Sequence, residues 1–353
     1  MHPFRKLILI SLGRADSFEK TPSPKDWVTM LGMAKKQTLI GVLFEGVKRL
    51  PEDQKPPQNI YNEWETLTTL IARIYQRHER RTAELEEILK ERGLHACILK
   101  GTSLGQLYPI PERRMCGDID IWVKGKRDEI IRRIAMLGYP VHDILYQECK
   151  VDFFDDTVVE VHFRPSKTYN PFRNARLQRI LRRMSPIRDD AALTMPDARF
   201  NAVFCLAHMY RHYLEGGLGM RQMMDYYYVL RDLAPEDREP VMKMIRRLGF
   251  RRFAGAMMTS MVFNFGLEKE YLLCKPNRKL GEKLIKDAIR LGNFGVTDTR
   301  NRPKAGETRL GRFFRKSGRV FSNVRFYPGE VLWSPFARIS QFLWRHLKGY
   351  TEE

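Results

Sequence analysis

The apolar spacing of this chain changes period twice, and that narrows its architecture more than any other feature. Up to Arg92 apolar residues recur at helical spacing: Trp27, Leu31 and Ala34, then Ile40, Val42, Leu43 and Val47, then Leu67, Leu70, Ile71, Ile74, Leu85, Ile88 and Leu89. Gly93 stops the last of these helices. Ala96-Cys97-Ile98-Leu99 is then a short apolar run, residues 117–123 form a second strand, and Arg127 to Leu137 reads as a helix closed by Gly138. Glu148 to Phe154 and Thr157 to Phe163 alternate like paired strands around an Asp155-Asp156 turn. From Asn174 the helical period returns, with Ala202, Leu206, Met209 and Tyr213 on one stripe and Met223, Tyr227 and Leu230 on another. The expected fold is α+β and mostly helical. A small mixed-sheet core (93–165) is flanked by an N-terminal helical region (1–92) and a C-terminal helical region with a basic tail (166–353).

The chemistry sits where the period is two. In Gly117-Asp118-Ile119-Asp120-Ile121-Trp122-Val123 the two acids share one strand face while Ile119, Ile121 and Val123 share the other. Val158-Val159-Glu160-Val161-His162-Phe163 repeats the device, with Glu160 and His162 opposite an apolar face. If the two strands are neighbours, Asp118, Asp120 and Glu160 converge. Hard carboxylate oxygens suit Mg²⁺ or Mn²⁺, and three acids would hold two divalent ions about 3.5–4 Å apart, as in-line phosphoryl transfer uses them. Upstream, Lys100-Gly101-Thr102-Ser103 is a small-residue turn directly after a strand.

These residues resemble the DNA polymerase beta-type nucleotidyltransferase superfamily, whose signature is a Gly-Ser or Gly-Gly turn followed by an acid pair one residue apart on a strand. More narrowly, Leu99-Lys100-Gly101, Leu107-Tyr108-Pro109, Arg114, Gly117-Asp118-Ile119-Asp120 and Val159-Glu160-Val161-His162 resemble the bacterial uncharacterised nucleotidyltransferase family. So do His208-x-x-x-His212, Arg221-x-x-x-Asp225 and Leu291-Gly292-Asn293-Phe294-Gly295. The resemblance covers most of the chain, more weakly beyond about residue 300, and departs at Thr102, where Ser is usual. It implies that Asp118 and Asp120 bind both metal ions. Glu160 would bind the catalytic ion and take the proton from an attacking hydroxyl. The Gly101-Thr102 turn would bring backbone amides and the Thr102 or Ser103 hydroxyl to the triphosphate, with Lys100 and Arg114 as its cations. His162, His208, His212, Arg221 and Asp225 would line the nucleotide cleft. The reaction implied is transfer of a nucleotidyl group from an NTP to a hydroxyl or phosphate acceptor, releasing pyrophosphate.

Each feature has a plainer reading. Lys100 is equally a solvated or structural lysine. Arg114 would tie its loop to Glu112 or to a backbone carbonyl. His162 is a hydrogen-bond partner of the carboxylate or a packed histidine. His208 and His212, one turn apart, have metal-ligand spacing but no third ligand at an evident spacing. Arg221 and Asp225 would form an intrahelical pair worth about 0.2–0.5 kcal/mol. Tyr226-Tyr227-Tyr228 reads as packing.

Charge points to a partner. The net charge is +20, and Lys275 to Glu353 holds 18 Lys+Arg against 7 Asp+Glu, so over half the excess sits in the last quarter. That favours an anionic partner such as nucleic acid, an anionic membrane surface or a phosphorylated molecule. Leu310, Phe313, Phe314, Phe321 and Val324 would form one face of a helix whose other face carries Arg312, Arg315, Lys316 and Arg319; Phe336, Ile339, Phe342 and Leu343 repeat the pattern. The simpler account is a helix docked on the body. No apolar run approaches the roughly 18 residues of a membrane span. Leu7-Ile8-Leu9-Ile10 reads as the first helix of the fold, and five scattered cysteines without ribbon or redox spacing suggest a reducing, cytoplasmic setting.

Two rivals remain. A DxD glycosyltransferase would carry its acids after a substantial nucleotide-binding half, whereas here about 90 helical residues come first. A non-catalytic basic binder on the same fold would have no need of all three acids.

Overall fold

A computed structural model describes residues 3–295 and 307–350; the side chains of Phe294, Arg309, Leu310, Arg312, Lys316 and Arg319 lie outside that description. Four helices come first: α1 (Pro3–Ser11), α2 (Pro24–Gln37), α3 (Ile40–Arg49) and α4 (Gln58–Glu91). The start of α2 is written locally. Ser23 accepts from the Asp26 amide, Asp26 returns the bond to the Ser23 amide, and Pro24 fills the first helical position.

The chain then forms β1 (Ala96–Ile98), the single turn α5 (Thr102–Gly105), β2 (Ile119–Val123), α6 (Arg127–Ala135), β3 (Val141–His142), β4 (Glu148–Val151) and β5 (Val159–His162). After α7 (Pro171–Arg183), β6 (Leu193–Thr194) returns to the sheet. Among the described residues six strands form one mixed sheet, in the order β3-β4-β5-β2-β1-β6. Five of these strands fall within residues 93–165, and the sixth comes from beyond residue 165. β2 and β5 lie side by side and parallel, with Asp120 opposite Glu160 and Trp122 opposite His162.

The remaining helices are α8 (Ala198–Glu215), α9 (Met220–Asp232), α10 (Pro235–Arg247), α11 (Arg251–Phe265), α12 (Arg278–Leu291), α13 (Arg309–Phe321), α14 (Pro328–Val331) and α15 (Ser334–Leu347). None of the described helices is long and apolar enough to cross a membrane.

Two apolar cores result. One joins α1–α3 and the first half of α4 to α8–α12, so helices before and after the sheet share a single interior. The other lies on one face of the sheet, where Ile119, Ile121, Val123, Val159 and Val161 meet Ile130 and Ile134 of α6. The 34-residue α4 serves both. At 1.5 Å per residue it is about 51 Å long. Trp64 and Ile71 enter the helical core, and Leu85 and Leu89 enter the sheet core. The opposite sheet face carries Asp120, Trp122, Glu160 and His162, and α8 and α9 cover it.

α11 packs closely against α12. A Cβ at Gly281 would stand 2.2 Å from Thr259 Cβ and 2.5 Å from its Cγ2. Gly281→Val is therefore expected to destabilise the fold by about 1–3 kcal/mol through overpacking. The check is a lower urea midpoint at unchanged slope; an unchanged midpoint would show that the two helices separate freely.

Candidate active site

Strand alternation sends Ile119, Ile121 and Val123 into the sheet core and turns Asp118 and Asp120 to the face under α8 and α9. Parallel pairing then sets Glu160 beside Asp120. Trp122, next along that face, stacks on Phe200 of α8 at 6.0 Å between ring centroids, which seats the helix over the strand. Between sheet and helices lies a cavity of about 340 Å³. Asp118, Asp120, Glu148, Glu160 and His162 line it from the sheet, Lys100, Gly101 and Arg114 from the preceding turn, and His208, Arg211, His212, Arg221, Gln222 and Asp225 from the helices.

Asp120 is the centre of the charge network. It is only 1% exposed, and its Oδ1 lies 2.8 Å from both Lys100 Nζ and His162 Nε2. Burial alone would raise its carboxyl, but Lys100 and His162 outweigh burial and hold it well below the usual range. Glu160 goes the other way. Burial, then the charges of Asp120 and Asp118, push it up to about 7. Asp118 is raised too, first by repulsion from Asp120 and then by burial. Glu148, paired across the hairpin with His162, places Oε2 3.3 Å from His162 Nδ1.

The crowding of acids tests whether a cation fits. Ligand atoms of Asp120, Glu160 and His162 all lie within 4.8 Å of one another, the one such group of three among the described residues. Asp118 lines the same cavity beside that group, close enough to Asp120 to repel it. The acids are hard oxygen donors, repulsion among them destabilises their charged forms, and only the Lys100 ammonium and His162 touch Asp120. This donor set fits a divalent ion, and the Lys100 ammonium balances part of the acids' charge.

The other expected residues divide. Lys100 is on the acids, 3.5 Å from His208 Nε2. Gly101 has φ +63°, a conformation that favours glycine, and brings the backbone to the cavity edge. Thr102 and Ser103 are buried inside α5 and do not line the cavity, so neither hydroxyl meets it; Ser103 Oγ has no partner. The helical turn that starts at Thr102 carries these side chains into the protein.

Arg114 corrects the expectation of a triphosphate contact. Nε and Nη2 hold the Asp225 carboxylate at 2.7 and 2.9 Å, and Nη1 donates to the Gly101 carbonyl at 3.0 Å and to Cys116 Sγ. Four of its five N–H groups are thus used internally, and it is 2% exposed. The plainer reading, a tie to a backbone carbonyl, describes it. Asp225, also bonded by the Tyr108 hydroxyl at 2.7 Å, consequently does not form the intrahelical pair with Arg221. Arg221 instead reaches across to the Met115 carbonyl at 2.9 Å, and its buried Nε has no partner.

His208 and His212 face each other, Nε2 to Nε2, at 2.7 Å. Burial, with Lys100 and Arg211 nearby, lowers both, His212 to about 3. They are neutral polar lining, and neither belongs to the donor group on the sheet.

Glu148 and Arg211 escaped the sequence reading. Glu148 alternates correctly for this face, but only the hairpin register sets it on His162. The Leu291–Gly295 motif acts from behind: Asn293 is buried against Gly219, where a Cβ would stand 2.6 Å from Asn293 Oδ1, and so supports the start of α9, the helix of Arg221. Tyr226, Tyr227 and Tyr228 pack, as expected; Tyr226 is buried and donates to the Ala202 carbonyl. In α13 the expected positions Leu310, Arg312, Lys316 and Arg319 have side chains outside the described set. Its Val320 and Ser317 are buried, Phe314 is exposed, and Arg315 pairs with Glu307.

A family model described as "Uncharacterised nucleotidyltransferase" matches residues 23–264, more than half of the chain and the whole of this cavity. No curated protein and no solved structure matches the chain.

Proposed function

From the uncharacterised nucleotidyltransferase family, to which the chain belongs, we propose that it transfers a nucleotidyl group from an NTP to a hydroxyl or phosphate acceptor with Mg²⁺ or Mn²⁺. The observation that supports this most is the parallel register of Asp120 against Glu160 on the floor of a cavity walled by cations.

Asp118, Asp120 and Glu160 would hold the divalent metal, with His162 orienting Asp120. When bound, the metal supplies charge neutralisation to the triphosphate and the departing pyrophosphate. The chain's own groups do the rest. Arg221, with its unpartnered Nε, and Lys100 are placed to bind phosphate oxygens. Arg114 and Asp225 hold the Gly101 turn in position. The acceptor oxygen attacks the α-phosphorus and a new P–O bond forms. The bond to the bridging oxygen of the β-phosphate breaks, and pyrophosphate leaves with the electron pair. If the acceptor is a hydroxyl, its proton passes to Glu160, the acid in register with Asp120.

The test is calorimetric or thermal-shift titration of the four NTPs with and without Mg²⁺ and Mn²⁺. Binding that requires the metal is expected for at least one NTP; binding of none, or equal binding without metal, overturns the reading.

A further inference from the structure

A second cavity, of about 440 Å³, lies behind the Glu148 wall of the first, between residues 146–174 and α15. Its walls are aromatic: Tyr146, Tyr169, Trp333 and Trp344. Its cations are Arg164, Lys167 and Arg338; its one acid, Glu215, is neutralised by Arg211 at 3.1 Å. It is joined to the acid cluster by contact. Lys167 Nζ donates to Gln147 Oε1 at 2.7 Å, Gln147 Nε2 donates to Glu148 Oε1 at 2.8 Å, and Glu148 touches His162. Arg211 lines the first cavity and, through Glu215 and Tyr169, braces the second.

The roof of this groove is apolar on its outer side. Ile339, Leu343 and Leu347 of α15 form one helical stripe and are 46%, 51% and 84% exposed, and Phe336, 65% exposed, joins that stripe to the groove it also lines. Ring contacts extend it through Trp333 to Phe172 of α7, itself 72% exposed. Scattered surface apolar residues are ordinary, but a continuous stripe marks a contact surface. Arg164, Lys167 and Arg338 of the groove stand beside it, so its electrostatic complement is anionic. An apolar stripe, indole rings at its edge and surrounding cations are the composition of a helix lying in the surface of an anionic bilayer.

We propose that the second groove binds the phosphate-bearing head group of a membrane lipid. The α15 stripe seats in the bilayer surface, and Arg164, Lys167 and Arg338 hold the head-group phosphate. The head-group assignment stands apart from the nucleotidyl-transfer reading above.

The full chain is to be sedimented with vesicles of phosphatidylcholine alone and of phosphatidylcholine mixed with phosphatidylglycerol, and titrated with glycerol 3-phosphate as the soluble head group. Pelleting with the anionic vesicles only is expected. Ile339→Ser/Leu343→Ser/Leu347→Ser should lower it at least tenfold while metal-dependent NTP binding stays intact. Glycerol 3-phosphate should bind the wild type and not Arg338→Gln. Failure to pellet, pelleting unaffected by the triple substitution, or capture of duplex DNA or RNA in place of vesicles overturns the membrane assignment. Absence of glycerol 3-phosphate binding, or equal binding by Arg338→Gln, overturns the head-group assignment. Asp120→Asn should still pellet, so loss of NTP binding and loss of lipid binding are separable failures.

Discussion

Asp120→Asn is expected to abolish metal-dependent NTP binding and to lower nucleotidyl transfer by about 10³-fold, since a bound divalent ion contributes several kcal/mol of charge stabilisation. The substitution keeps the side chain's size and removes its charge. It therefore takes away the one acid that touches both Lys100 and His162 and that stands in register with Glu160. Lys100 keeps Asp118 and Glu160 as neighbouring charges, so the variant should fold, which near-ultraviolet circular dichroism would check. Titration of Mg²⁺ with NTP, and pyrophosphate release where an acceptor is found, give the functional readout. A folded Asp120→Asn protein that binds Mg²⁺ and NTP like the wild type would refute the metal-site reading.

Arg114→Met should be the most destabilising single change near the site, by about 3–5 kcal/mol, because it leaves the buried Asp225 carboxylate without its cation. The pair is 2% and 7% exposed at the side chains and bidentate. Replacing both partners, as Arg114→Met/Asp225→Leu, should recover much of the loss, because no buried charge remains. The pH dependence has a definite sign. Burial alone would raise the Asp225 carboxyl, but Arg114 outweighs it and holds the group below its unfolded value. The pair's contribution is thus complete at neutral pH and lost as pH falls through the folded value. The gap between wild type and Arg114→Met should accordingly narrow below about pH 4, where unfolded carboxyls protonate. Urea unfolding across pH measures this. An equal gap at pH 7 and pH 3 would show that the loss is one of packing and not of charge. NTP affinity should fall as well, since Arg114 also holds the Gly101 carbonyl. The double variant restores stability but not that bond, so the two effects separate.

Much of the site was legible before any coordinates. Period-two alternation put Asp118 and Asp120 together on one face of their strand and Glu160 and His162 together on one face of theirs, and helical spacing marked α4, α8 and α9. What misled was the assumption that a basic residue near the acids serves the ligand. Arg114 and Arg221 are alike in sequence: each is an arginine close to a motif. One is consumed by a buried carboxylate 111 positions away, and the other reaches the cavity wall with its Nε unpartnered. Thr102 and Ser103 follow the glycine that a phosphate turn needs, yet one helical turn buries both. Glu148 carried only a weak signal, because its role depends on a hairpin register set by the Asp155-Asp156 turn and the apolar faces of both strands.

Backbone geometry is local, so alternation and helical period already decide which side chains share a face, where glycine must sit and which residues are apolar enough to form a core. Pairing is not local. Only packing brought β5 against β2 in parallel register, set α8 and α9 over the acids, matched Arg114 with Asp225, and left the α15 stripe facing outward. A charge finds its partner through distance and desolvation, and both are properties of the assembled interior.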